Sequence, residues 1–153
     1  MNSERTPNTA RVAALVLTAC FAMAGCHTAQ EPAKPASGPS RSSLEDQWGI
    51  RIASLRVTAA GQMIDFRYRI LDPEKAVPIV DRKLKPQLID QASHRALGVP
   101  VAPKVGALRQ TSVKPIAGRI YFVLFGNPNQ LVKPGSKVTV VIGNFRVENL
   151  IVE

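Results

Sequence analysis

Cysteine and histidine are almost missing from this chain, which holds two of each in 153 residues. Both cysteines, Cys20 and Cys26, and one histidine, His27, fall within the first 27 positions. The remainder has no thiol for a disulfide or a thiolate site, and His94 is its single imidazole. Metal coordination and histidine-dependent catalysis are thereby deprived of their usual groups. No His-Glu-x-x-His, Cys-x-x-Cys or glycine-rich phosphate loop occurs. Long helices are excluded too, because between positions 44 and 153 no stretch free of glycine and proline exceeds 11 residues. Internal repeats and coiled-coil heptads are absent from the sequence. These shortages argue for a protein without cofactor or metal, and against an enzyme.

What remains is ordinary globular material. Apolar residues make up 45% and charged residues 20%, enough for a packed core in one domain of this length. Lys and Arg number 20 against 11 Asp and Glu, a net charge of +9. From Cys26 onward the balance is 18 to 10, so most of the positive charge belongs to the part read below as exported.

The first 11 residues are polar, with Arg5 and Arg11 against Glu4, and the next 14 read VAALVLTACFAMAG without a charge. A bilayer-spanning helix needs roughly 20 apolar residues, so this run is too short to span and reads as a secretory leader. It ends in Met23-Ala24-Gly25-Cys26, and this ending resembles the lipobox of bacterial lipoproteins. The family usually has Leu where Met23 stands, an apolar exchange. Leu17-Thr18-Ala19-Cys20 spells the motif more closely but leaves only Val12 to Val16 before it, too few for a hydrophobic region of about 7–15 residues. The resemblance implies that Met23, Ala24 and Gly25 are read by the signal peptidase, that cleavage falls before Cys26, and that Cys26 carries a diacylglyceryl group and an added acyl chain such as palmitate. The expected organisation is a signal peptide at 1–25, a lipidated tether at 26–43 and a folded domain at 44–153. His27, the residue after the cysteine, is not the Asp that favours inner-membrane retention in Gram-negative lipoproteins, which points to the outer membrane, facing the periplasm. A metal role for His27 has no second ligand near it in sequence.

Positions 27–43 read HTAQEPAKPASGPSRSS, without a large aliphatic side chain, and cannot bury enough surface to fold. As coil, 17 residues span roughly 20–25 Å, which lifts a domain clear of lipid headgroups.

The domain reads as strands. Across 62–72, Ile64, Phe66, Tyr68 and Ile70 alternate with Asp65, Arg67 and Arg69, the period of a strand with one solvated face. Across 119–125 both phases are apolar, which predicts a central strand covered on both sides, with Phe122 in the core. Strands are expected at 137–143 and 145–152 around Gly143-Asn144, and at 86–90 and 95–99. A further one at 50–60 should kink near Ala53-Ser54, where its alternation changes phase. Seven to nine short strands separated by turn residues resemble an immunoglobulin-like or fibronectin-III-like module. The expected fold class is all-β, a single antiparallel β-sandwich, with a small β-barrel as the alternative.

Chemistry is sparse. Asp90, Ser93 and His94 can be spelled into a relay, but neighbours on one turn cannot easily align as a triad. Asp72 and Glu74 around Pro73 read as turn chemistry rather than an acid–base or calcium pair. Trp48 reads as packing over the end of the sandwich. The basic residues cluster at Arg67/Arg69, at Arg82-Lys83/Lys85 and at Lys104/Arg109/Lys114/Arg119. Arg67 and Arg69 share a strand face and are the candidate contacts for an anionic envelope lipid or polymer. Nucleic acid is disfavoured by compartment. The expectation is a membrane-anchored envelope lipoprotein that acts as a non-enzymatic binding or structural module. An accessory subunit docking on a larger envelope complex comes second, and a hydrolase with an unrecognised site third.

Overall fold

The computed structural model describes residues 41–153. The proposed leader, Met23–Cys26 and most of the tether lie outside the described residues. Helix α1 (Arg41–Trp48) leads into β1 (Ile50–Thr58), so Arg41–Ser43, placed in the tether by composition, belong to a helix. Strand β2 (Met63–Ile70) follows, then α2 (Pro73–Val80), β3 (Gln87–Asp90), β4 (Ala96–Gly98), the short ribbon β5 (Val101–Ala102) and β6 (Gly106–Ala107), and finally β7 (Ile120–Gly126), β8 (Lys137–Ile142) and β9 (Phe145–Ile151).

The strands form two antiparallel sheets in the order β1-β2-β7 and β4-β3-β8-β9, with β5-β6 apart. One core joins both sheets. From the first sheet it takes Ile50, Leu55, Ile64, Phe66, Tyr68, Ile70, Tyr121, Val123 and Phe125, and from the second Leu88, Leu97, Val138, Val140, Ile142, Phe145 and Val147. The described part is thus an all-β, antiparallel sandwich, and its sheets do not close into a barrel. The alternation read in β2 is observed, since Ile64, Phe66, Tyr68 and Ile70 are all fully buried. The predicted kink in β1 is a register shift between Ile52 and Ser54. Glu153 crosses to the first sheet, where Val57 N donates to its carbonyl at 2.9 Å and its own N–H donates to Leu55 O at 2.8 Å.

Strand β7 corrects the sequence reading. It is not central: β2 occupies the middle of the three-stranded sheet, and β7 pairs with it on one side only. Its other edge meets the irregular segment 108–110, through Leu124 N to Leu108 O at 2.9 Å and Gln110 N to Phe122 O at 3.0 Å. Only Tyr121, Val123 and Phe125 enter the core. Phe122 and Leu124 are half-buried on the outer face, opposite Arg67 and Asp65 of β2. Two apolar phases therefore reflect partial cover on the outside, and Phe122 is not a core residue. Asp65 departs in the opposite sense, because it sits on the outer face yet is only 3% exposed.

Helix α2 was not legible as a helix. Asp72 caps it, its Oδ1 accepting from Glu74 N at 3.0 Å and Lys75 N at 3.4 Å, and Pro73 occupies the first turn, where a missing N–H costs nothing. Ala76, Ile79 and Val80 are buried at helical spacing, so tertiary packing holds the element despite Pro78. At the same end, Trp48 of α1 meets Phe145 edge-on, with ring centroids 5.4 Å apart and planes at 85°.

Candidate functional site

Arg67 and Arg69 project from the same outer face of β2, as the alternation required, and both are already engaged. Arg67 Nε donates to Asp65 Oδ2 at 2.8 Å, and Arg56 Nη2 lies 3.8 Å from the same oxygen. Arg69 Nη1 donates to Gly118 O at 2.7 Å. Arg51, the cross-strand neighbour of Arg69, holds Glu45 in a fork, Nε to Oε1 at 2.6 Å and Nη2 to Oε2 at 3.2 Å. Much of the positive charge on this face is thus spent within the molecule.

The triad that could be spelled from 90–94 is not assembled. Asp90 Oδ2 accepts from Ser93 N at 2.9 Å and from Ser93 Oγ at 2.6 Å, closing a side-chain turn. His94 is exposed with φ +56°, and the Asp90 oxygen holds the serine rather than the imidazole. No group of three or more His, Cys, Asp or Glu side chains converges among the described residues.

A different region concentrates uncommitted charge. The loop between α2 and β3, positions 81–86, forms one wall of a groove of about 690 Å³, and the 98–107 segment with the β5-β6 ribbon forms the other. The loop is held from below by Arg109. Its Nη1 donates to Leu84 O at 2.8 Å and its Nη2 donates to Asp81 O. Asp81 in turn accepts from Lys83 N at 2.9 Å through Oδ1, and Ser112 N donates to Val80 O at 3.2 Å. From behind, Gly143 lets the β8-β9 turn approach Leu84: it has φ +58°, and a Cβ there would meet Leu84 Cδ1 at 2.8 Å.

With its backbone tied down by Arg109, this loop presents Arg82, Lys83 and Lys85 to solvent. None of the three forms an ion pair with a described residue. Val99, Val101 and Val105 line the facing wall, and no carboxylate, imidazole or thiol lines the groove. Burial draws the Arg109 guanidinium below its ordinary pKa, opposed by the phenol of Tyr68 and by Asp81. Burial also raises Tyr68, so its hydroxyl is neutral throughout the ordinary pH range. Arg109 Nε and Tyr68 Oη are both buried without a hydrogen-bond partner.

The arrangement can attract and orient an anion beside an apolar wall. Sequence reasoning noted Arg82, Lys83 and Lys85 as a cluster without assigning them a site. The wall they face comes from residues more than ten positions later, which no local pattern could reveal. The sequence and fold were compared with protein-family models, curated proteins and solved structures, and none of them matches.

Proposed function

We propose that this protein is a lipoprotein of the bacterial envelope, anchored through Cys26, whose β-sandwich serves as a non-enzymatic binding module for an anionic envelope partner. The observation that carries the reading is the set of three exposed, unpaired cations, Arg82, Lys83 and Lys85, fixed on a pinned loop above a valine-lined groove. Anchoring is supported by the lipobox-like Met23–Cys26 at the end of an uncharged run, and placement at the outer membrane by His27 after the cysteine. A tether would confine the domain to the membrane surface and raise its effective concentration there.

The test is binding of residues 26–153 carrying Cys26→Ser to dextran sulfate, a soluble polyanion, and to vesicles containing anionic lipid, at low and physiological salt. Charge reversal at all three positions should weaken binding by more than tenfold, since each cation near an anionic surface contributes roughly 1 kcal/mol. The effect should shrink as salt rises, because exposed charges are screened over about 8 Å at physiological ionic strength. Binding that ignores both the reversal and salt, or no binding to either probe, would refute the proposal.

A further inference from the structure

We infer that the flank carrying the groove lies flat on an anionic phospholipid bilayer, with Val101, Val105 and Val113 entering its headgroup region. The inference rests on reading the groove as an anion site, and names its partner. Three of the most exposed large apolar side chains are these valines, at 74%, 73% and 93% exposed, with Val77 at 43%. They belong to one surface. The groove containing Val101 and Val105 shares Arg82, Lys83 and Thr111 with a second concavity lined by Val77 and Val113, so the valines flank a common basic ridge.

Charge and apolarity alternate at the tips. Lys104 precedes Val105 at the turn of the β5-β6 ribbon, and Lys114 follows Val113; both lysines are exposed and form no ion pair with a described residue. Asp81 is the carboxylate of this surface, and its Oδ1 is occupied by the N–H of Lys83. A soluble polyanion would satisfy the cations and leave the valines in water. A bilayer surface takes both, lipid phosphates meeting Arg82, Lys83, Lys85, Lys104 and Lys114 while the valines settle at the boundary with the acyl chains. The arginine face of the first sheet offers no such combination, since Arg51 and Arg67 are paired and Phe122 and Leu124 are half-buried.

The chain has no cysteine after Cys26, so single labels are simple to place. Residues 26–153 with Cys26→Ser would carry a nitrobenzoxadiazole label at Val105→Cys, at Val113→Cys or, as a control on the far edge strand, at Glu148→Cys. With vesicles of phosphatidylcholine and phosphatidylglycerol the first two labels should shift to the blue and be quenched by lipids spin-labelled near the glycerol. The label at 148 should not respond, and phosphatidylcholine alone should shift none. Changing Val101, Val105 and Val113 together to Ser should weaken vesicle binding roughly tenfold while altering dextran sulfate binding less than twofold. Vesicle binding with unshifted labels at 105 and 113, or undiminished in the serine variant, overturns the inference. Dextran sulfate binding that depends on Arg82, Lys83 and Lys85, without any vesicle binding, overturns this inference alone. Binding to neither overturns the anion-site reading as well.

Discussion

Asp65 shows how burial reverses a role assigned by pattern. Its carboxylate is 3% exposed on the outside of a sheet, with Arg67 at 2.8 Å, Arg56 at 3.8 Å and its Oδ1 without a partner. Arg67 thereby supports the fold by pairing a buried carboxylate. Arg67→Ala should lower stability by about 1–3 kcal/mol by leaving a buried carboxylate with one distant cation, whereas Arg69→Ala should stay within about 0.5 kcal/mol; chemical denaturation of both variants would decide. Phe66 and Phe122 form a second contrast, one fully buried and the other half-buried on the outer face. Phe66→Ala should cost about 3–5 kcal/mol and Phe122→Ala clearly less; equal midpoints would contradict the assignment of β7's faces. Tyr68 adds a pH dependence. Its folded pKa is raised by burial, so its contribution is complete below the unfolded value of about 10, and stability falls as pH rises beyond that, where only the unfolded chain readily releases the proton. Tyr68→Phe should therefore be neutral or stabilising at pH 7 and should flatten the loss between pH 9 and 11, measured by urea midpoints.

At the scale of elements, the sandwich depends on its connections as much as on its strands. Helix α2 begins on a side-chain cap, and Asp72→Ala should cost about 1 kcal/mol, a loss that thermal denaturation should register. The edge of β9 is blunted by the Arg146–Glu148 ion pair at 2.7 Å and by Asn149 at φ +57°, devices that discourage edge-to-edge association. The loop at 81–86 relies on Arg109 in place of a regular element. Arg109→Met should leave the sandwich folded but speed amide hydrogen exchange across 82–86. It should also weaken anion binding, because the half-buried Arg109 both holds the loop and lines the groove. Unchanged exchange in that loop would show that the guanidinium does not hold it.

For the whole molecule, the decisive quantities are the proposed anchor and the distribution of charge. Cys26→Ser in the complete chain should remove the salt-resistant part of membrane association and leave only the salt-sensitive binding of the domain, and intact mass of the mature unsubstituted protein should show a chain starting at Cys26 with acyl mass added. An unmodified chain with another start would overturn the lipoprotein reading. The folded part has no cysteine and no cluster of metal-ligating side chains among its described residues, so its stability should be indifferent to reductants and chelators. Two of its basic regions differ in character. On the first sheet the arginines are tied to Glu45, Asp65 and a carbonyl; on the groove flank the cations are free of ion pairs and stand among exposed valines.

Local order was legible because it depends on neighbours in sequence. The alternation of Ile64, Phe66, Tyr68 and Ile70, the break at Ala53-Ser54 and the turn at Gly143-Asn144 follow from side-chain period and backbone sterics, which act over a few residues. Counting such strands was enough to reach an antiparallel sandwich, and the uncharged run ending in Met23-Ala24-Gly25-Cys26, on which the proposed anchor rests, is likewise a linear pattern. Sheet order lay beyond that reach, since an apolar strand such as β7 can satisfy its second phase by partial cover at an edge as well as by a central place. Helix α2 was missed because its buried face, Ala76, Ile79 and Val80, is stabilised by the core it meets rather than by its own propensity. The groove is also a tertiary product. Arg82, Lys83 and Lys85 were visible as charge, but which cations are neutralised and which stay free depends on carboxylates and carbonyls brought from distant positions. Electrostatic commitment is set by distance in space, and only the folded chain determines that distance.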